Sequence, residues 1–234
     1  MPLLSADPTA FPAEPPADVH DHAVIAAHDW AAFSALDEMA DHWARPDWSD
    51  GARAYYWMLA FRDEPELQAL ALRCQDALAP LGLDPVPADG LHITLARVGS
   101  PGTVAPARLD DLLRAAEPAL PASFSVRAVP LAGSRGAVRL SLAPWEPLLR
   151  LHAALVQAGR ATGLEPKKLT AVFRPHLSLA YNNRPRPAAP VAEAVAGLRA
   201  LPSVEIQIRD VQLVELRREG RAYCWNVLKS LPLA

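Results

Sequence analysis

Two apolar, strand-forming segments 84 positions apart carry the same alternation, His92-Ile93-Thr94-Leu95 and His176-Leu177-Ser178-Leu179. Successive side chains of an extended strand point to opposite faces, so His92 and Thr94 share one face, about 6.6 Å apart, as do His176 and Ser178. Ile93, Leu95, Leu177 and Leu179 then require a core on the opposite face. If the two strands lie side by side, two imidazoles and two hydroxyls converge on one concave surface. That set suits acid/base attack on a phosphodiester and needs no metal ligands. A single His on an apolar strand reads first as a core histidine with satisfied hydrogen bonds; the repetition favours a site.

The chain has 234 residues, 51% of them hydrophobic, enough for one large domain or two closely packed lobes. Cys74 and Cys224 are too few and too far apart for a disulfide framework or a Cys-rich zinc site, which fits a reducing compartment. No run approaches the roughly 18 apolar residues of a membrane span, and no signal-peptide pattern opens the chain. A cytoplasmic monomer without a membrane partner is expected. Residues 1–50 hold ten carboxylates against Arg45 alone, so the net charge of −3 conceals a positive remainder. Lys167, Lys168, Arg174, Arg184 and Arg186 flank the second motif with no acid between Glu165 and Glu193. Such a run suits an anionic ligand and reads equally as a solvated basic loop. It is too modest for a binder of duplex DNA.

Residues 1–21 are expected to form a disordered, Pro-rich arm and residues 22–50 an acidic helical segment, with a two-lobed domain over 51–234. The spacing of Ala27, Trp30, Phe33, Leu36 and Trp43 predicts a helix from about His22 to Ala44, stopped by Arg45-Pro46. Strands are predicted at Ala54–Phe61, Leu91–Val98, Phe124–Val129, Ala137–Leu142 and Phe173–Tyr181, and helices at Pro65–Ala79, Ala105–Leu120, Pro147–Thr162 and Pro190–Ala200. Val204–Leu216 and Ala222–Leu228 read as a closing hairpin. The order suggests a crude duplication into two similar α+β lobes, each supplying one motif strand.

From about Trp43 onward the chain resembles the two-histidine (2H) phosphoesterase superfamily, and especially bacterial 2′-5′ RNA ligase-like proteins. The likeness rests on His92-Ile93-Thr94-Leu95 with Gly99 following, and on Pro175-His176-Leu177-Ser178-Leu179-Ala180-Tyr181-Asn182; Trp43–Trp48 and Tyr55–Phe61 are lesser matches. The resemblance implies a bilobal fold with pseudo-twofold symmetry and an open cleft between two antiparallel sheets flanked by outer helices. It also implies metal-independent and cofactor-free hydrolysis of 2′,3′-cyclic phosphates, with an RNA terminus or a small cyclic nucleotide as partner. His92 and His176 would be the catalytic imidazoles, and Thr94 and Ser178 would hold the phosphate oxygens. Met58 stands where close relatives are expected to be polar. A binding module that has lost turnover, and a structural protein with coincidental motifs, are the other classes these residues admit.

Unperturbed imidazoles titrate near pH 6.5, so one neutral and one protonated His would give a bell-shaped rate profile between about pH 5 and 8. Which is base and which acid is open in the sequence. Tyr56 and Tyr181 are candidate stacking platforms for a nucleobase, with core packing as the alternative. Strand alternation assigns Tyr55, Trp57, Leu59 and Phe61 to the core and Tyr56 to the cleft. Arg97, Arg139 and Arg217 are in reach of a phosphate or of surface partners. His20, His22, His28 and His42 lack the companions of a zinc site and read mostly as surface residues, and His152 reads as a helix-face residue.

Overall fold

The apolar periods of the middle of the chain become the elements they predict. The computed structural model describes residues 4–233. In chain order it contains α1 (His22–Ser34), β1 (Glu38–Met39), β2 (Arg53–Ala60), α2 (Pro65–Leu78), β3 (Asp84–Pro85), β4 (His92–Gly99), α3 (Pro106–Ala116), β5 (Phe124–Ser134), β6 (Ala137–Ala143), α4 (Glu146–Ala161), β7 (His176–Tyr181), β8 (Arg186–Pro187), α5 (Ala189–Ala196), β9 (Val204–Ile208), β10 (Asp210–Glu219) and β11 (Ala222–Pro232). Pro at the first turn opens α2, α3 and α4, where its missing N–H costs nothing.

Two antiparallel sheets carry the fold, one ordered β11-β10-β2-β4 and the other β3-β7-β6-β5-β9. The first motif strand, β4, is an edge of the first sheet, and the second, β7, lies in the other sheet beside β6. The halves are interleaved. Helix α2 follows β2 of the first sheet but packs on β7, β9 and α5, and α4 follows β6 of the second sheet but packs on α3 and β4. Each lobe therefore closes its core with a helix from the other half. Tyr55, Trp57, Leu59 and Phe61 lie in the main core, as alternation requires. The opposite face of β2 holds Ala54, Tyr56 and Met58, which pack with Trp48, Val214, Leu216 and Trp225 into a smaller apolar cluster.

Three expectations are corrected. The first helix ends at Ser34, ten residues early: β1 pairs with β8 instead, and Trp43 reaches the core from an irregular segment while its Nε1–H donates to Asp84 at 2.8 Å. Second, Val204–Leu216 is not one strand of a hairpin. It divides at Arg209, with β9 pairing β5 in one sheet and β10 pairing β2 and β11 in the other. The buried positions mark the break, since Ile206 and Ile208 are even and Val211 and Leu213 odd. A strand that keeps one face to the core makes such a phase change either through a bulge or by leaving its sheet, and here it leaves the sheet.

Third, the described part of the N-terminal arm follows a defined path instead of being free. Arg174, 5% exposed, donates from Nε to the Pro12 carbonyl (3.1 Å) and from Nη2 to those of Ser5 (2.7 Å) and Ala13 (3.1 Å). Polar backbone groups, not apolar area, hold this segment, which is why its composition looked unstructured. Residues 1–3 of the arm lie outside the described residues.

Helix α1 is fixed on β5 by a close approach. A Cβ on Gly133 would stand 2.3 Å from Cε2 of the fully buried Phe33. Gly133→Ala is expected to lower the unfolding free energy by about 1–3 kcal/mol through overpacking, and adding Phe33→Leu should recover part of it; urea titration of the three proteins measures both.

Candidate active site

In each lobe the motif strand pairs with a neighbour so that its polar residues share one face. On β4, His92 stands opposite Ala60, Thr94 opposite Met58 and Arg97 opposite Tyr56 of β2. On β7, His176 stands opposite Ser141, Ser178 opposite Arg139 and Tyr181 opposite Ala137 of β6. A register shift lies beyond the hydroxyl in both pairs, which returns the fifth residue after each His to the same face. The two faces meet across a cavity of about 670 Å³, and all six residues singled out from the sequence line it: His92, Thr94, His176, Ser178, Tyr56 and Tyr181.

The two imidazoles are mounted alike. His92 Nδ1 lies 2.7 Å from the Gly90 carbonyl and His176 Nδ1 lies 2.9 Å from the Arg174 carbonyl, in each case two residues earlier in the chain. A carbonyl oxygen only accepts, so Nδ1 carries the hydrogen and Nε2 is the free nitrogen of each neutral ring. Burial pulls the pKa of His92 below 6.5, against the Gly90 bond, which favours the charged form. His176 is pulled to about 3, first by burial and then by the Arg139 guanidinium. Burial thus disfavours the charged form of both rings, and a neighbouring guanidinium adds to that effect only at His176.

The symmetry of the strands is broken by charge. Behind Thr94 stands fully buried Met58, whereas behind Ser178 stands Arg139, 3% exposed. Arg139 lies 3.8 Å from the buried carboxylate of Asp29, which also accepts from Ser141 Oγ at 2.6 Å, and its Nη2 donates to the Phe11 carbonyl at 3.1 Å. Its Nε, like that of Arg97, is buried with no partner among the described residues. Arg45, Arg97, Arg139, Lys167, Lys168 and Arg174 all line the cavity, with Asp47 as the acid among them. The basic run read from the sequence thus faces the cleft through Lys167, Lys168 and Arg174. Arg217 does not; it pairs with Glu219 at 2.7 Å on the surface. Arg184 and Arg186 lie outside the cavity lining as well, Arg186 bonding the Leu81 carbonyl at 2.5 Å.

Of the two tyrosines, Tyr56 presents its ring to the cavity with Trp48 at its edge, 5.9 Å between centroids. Tyr181 departs from its expected role. It is 6% exposed, and His42 stacks on it at 4.0 Å while Trp43 and Tyr223 meet it edge-on. This enclosure matches the core-packing alternative for Tyr181, although the residue still lines the cavity. His42 corrects the surface reading: it is 9% exposed and lines the cavity, because β1 and Asn182 fasten its segment to the second lobe. Sequence reasoning also missed Tyr223 and the arm residues Thr9, Ala10 and Phe11, which line the cavity too. The His42-Trp43 pair beside Arg45 was the one visible signal. His152, read as a helix-face residue, is buried yet reaches the cavity lining, bonded to Thr170 Oγ1 at 2.8 Å and stacked on Phe173.

Among the described residues no group of three His, Cys, Asp or Glu is placed to hold a metal ion, and no helix is long and apolar enough to cross a membrane. The sequence profile of the 2′-5′ RNA ligase superfamily matches residues 53–220. No curated protein matches the chain. Among solved structures, one described as a phosphoesterase superposes with a TM-score of 0.59 at 19% identity, covering 78% of this chain and 98% of its own. Escherichia coli LigT complexed with 3′-AMP gives 0.58 at 18% identity over 78% and 98%. A protein from Thermus thermophilus gives 0.56 at 23% identity over 77% and 97%. These likenesses show that the two-lobed fold is shared.

The buried histidines tie stability to pH. Burial pulls His152 from 6.5 to about 4, so between those values the unfolded chain binds a proton that the fold refuses. Stability is whole above pH 6.5 and is lost as pH falls toward 4, about 3 kcal/mol from His152 alone. Urea unfolding at pH 7.5 and 4.5 should show the fall, and His152→Gln should reduce the difference between the two.

Proposed function

We infer that this chain, which belongs to the 2′-5′ RNA ligase superfamily, is a phosphoesterase that opens 2′,3′-cyclic phosphates at RNA ends or on small nucleotides without a metal ion. One observation carries the reading: two imidazoles on opposed strands, each pinned at Nδ1 by a carbonyl two residues before it. An acid and a base are needed on opposite sides of phosphorus, and this arrangement supplies them. Complexes of LigT with 3′-AMP, with ATP and with NADP+ support a nucleotide in a cleft of this shape.

The unequal surroundings of the rings support one division of roles. Burial, and after it Arg139, keep His176 unprotonated, so His176 Nε2 is the base that takes a proton from water as its oxygen attacks phosphorus. His92 has no cation of that kind behind it and is the ring whose uptake of a proton from solvent a bound phosphate anion favours. It gives that proton to the departing ribose oxygen as the phosphorus–oxygen bond breaks, leaving a phosphomonoester and a free hydroxyl. Thr94 and Ser178 hydroxyls donate to the non-bridging oxygens, with Arg139 behind Ser178, so the charge is met by groups already in place. With a ribose 5′-hydroxyl replacing water, the same proton transfers join two RNA ends. The free thiols of Cys74 and Cys224 suit a reducing compartment, and we propose a cytoplasmic monomer.

With EDTA present, wild-type protein should convert 2′,3′-cyclic AMP to a monophosphate, and His92→Ala and His176→Ala should each lower kcat by about 10² to 10⁴. Undiminished turnover in both variants would remove the two-histidine reading. The pH dependence differs from the profile expected of unperturbed rings. In free enzyme the productive form has His92 protonated and His176 neutral, and both pKa values are depressed. The profile of kcat/KM should therefore peak on the acid side of 6.5 and fall as pH rises. Bound phosphate raises the pKa of His92, so the alkaline limb of kcat should lie at higher pH than that of kcat/KM.

A further inference from the structure

Another imidazole lining the cleft, that of His42, takes no part in the chemistry described above. His42 is held rigidly: its N–H donates to the Asn182 carbonyl at 2.7 Å, and the fully buried Asn182 returns a bond from Nδ2 to the Ala40 carbonyl at 2.8 Å. Arg45 Nη2 lies 3.3 Å from His42 Nδ1. A guanidinium has only hydrogens to offer, so Nδ1 bears the lone pair and the neutral ring carries its proton on Nε2. Burial, and after it the charge of Arg45, keep the ring neutral. The His42 tautomer is thus the reverse of that in His92 and His176.

The consequence falls on Tyr223. His42 Nε2 is 2.8 Å from Tyr223 Oη, and with the proton on Nε2 the tyrosine oxygen must be the acceptor. Its own hydrogen finds no other protein acceptor among the described residues. Burial raises the pKa of this phenol, so the hydrogen stays on. Tyr223 lines the cavity, with its ring centroid 6.5 Å from that of His92. The chain Arg45 to His42 to Tyr223 therefore has one permitted direction, and it ends in a hydroxyl donor in the cleft.

We propose that Tyr223 is a substrate-contacting residue that donates a hydrogen bond to an anionic phosphate oxygen beside Thr94 and Ser178, and that His42 is the positioning residue that keeps the hydroxyl a donor. The phosphate contact stands on the geometry alone, whereas its catalytic value rests on the phosphoesterase reading.

The test measures binding of inorganic phosphate by calorimetry, and kcat and KM on 2′,3′-cyclic AMP, for wild type, Tyr223→Phe, His42→Phe, His42→Gln and the double variant His42→Phe/Tyr223→Phe. Tyr223→Phe should weaken phosphate binding by about tenfold to a hundredfold, the range for a hydrogen bond to a charged group. His42→Phe keeps the stacking on Tyr181 but not the donor and should lose a similar factor. His42→Gln, which offers an N–H to Tyr223 and a carbonyl to Arg45, should restore most of it. The double variant should be no worse than Tyr223→Phe, since one path is being broken twice. Phosphate affinity within twofold of wild type for Tyr223→Phe would overturn the proposal, and multiplying losses in the double variant would overturn the role of His42. The expected binding pattern in proteins without turnover would uphold this contact and refute the phosphoesterase reading instead.

Discussion

The bonds from His92 Nδ1 to the Gly90 carbonyl and from His176 Nδ1 to the Arg174 carbonyl decide which nitrogen of each ring faces the cleft. An imidazole free to rotate or exchange tautomers offers acid/base chemistry only part of the time, and these bonds remove both freedoms. They also explain why the motif strands begin at the histidines: residues 90 and 174 lie just before β4 and β7, where their carbonyls are not taken by a ladder. The arrangement repeats because the lobes repeat. Interleaving of α2 and α4 between the halves then keeps the two strands in a fixed relation, since neither lobe closes its core without a helix from the other.

Within that symmetry, function depends on what differs. Met58 behind Thr94 and Arg139 behind Ser178 occupy equivalent positions in their sheets, yet one is apolar and the other carries a charge held near Asp29. A carboxylate at 3.8 Å in a buried site partly balances the guanidinium without satisfying its Nε. Two identical environments would give two imidazoles of equal basicity and no reason for a proton to move one way. Arg139 acts on His176 and has no counterpart acting on His92, which makes the surroundings of the two rings unequal.

Much of this was legible because strand alternation is strict. The faces of β2, the two His-hydroxyl pairs and the presence of Tyr56 in the cleft all follow from a period of two. What failed was long-range. Trp43 continued the helical spacing of Trp30 and Phe33 by coincidence, and the chain turned at Ser34 because β1 finds its partner in β8, about 150 residues away. The fate of Tyr181 was equally invisible, since its face is covered by His42 from a segment that alternation does not describe. The phase slip at Arg209 was readable but lies between two apolar strands with only two polar residues to announce it.

The N-terminal arm shows why composition misleads where backbone does the holding. Its Pro-rich sequence offers little to bury, but Arg174 and Arg139 are themselves buried and must spend their donors. The carbonyls of Ser5, Pro12 and Ala13 satisfy Arg174, and that of Phe11 satisfies part of Arg139, while the Phe11 ring packs against Arg135 and Arg139 at 5.5 and 5.4 Å. Carbonyls neutralise hydrogen-bonding capacity without cancelling charge. The arm therefore tiles the wall of the cleft with carbonyls at Phe11, Pro12 and Ala13, while its Asp7 and Glu14 carboxylates lie near enough to Arg174 to offset part of that charge.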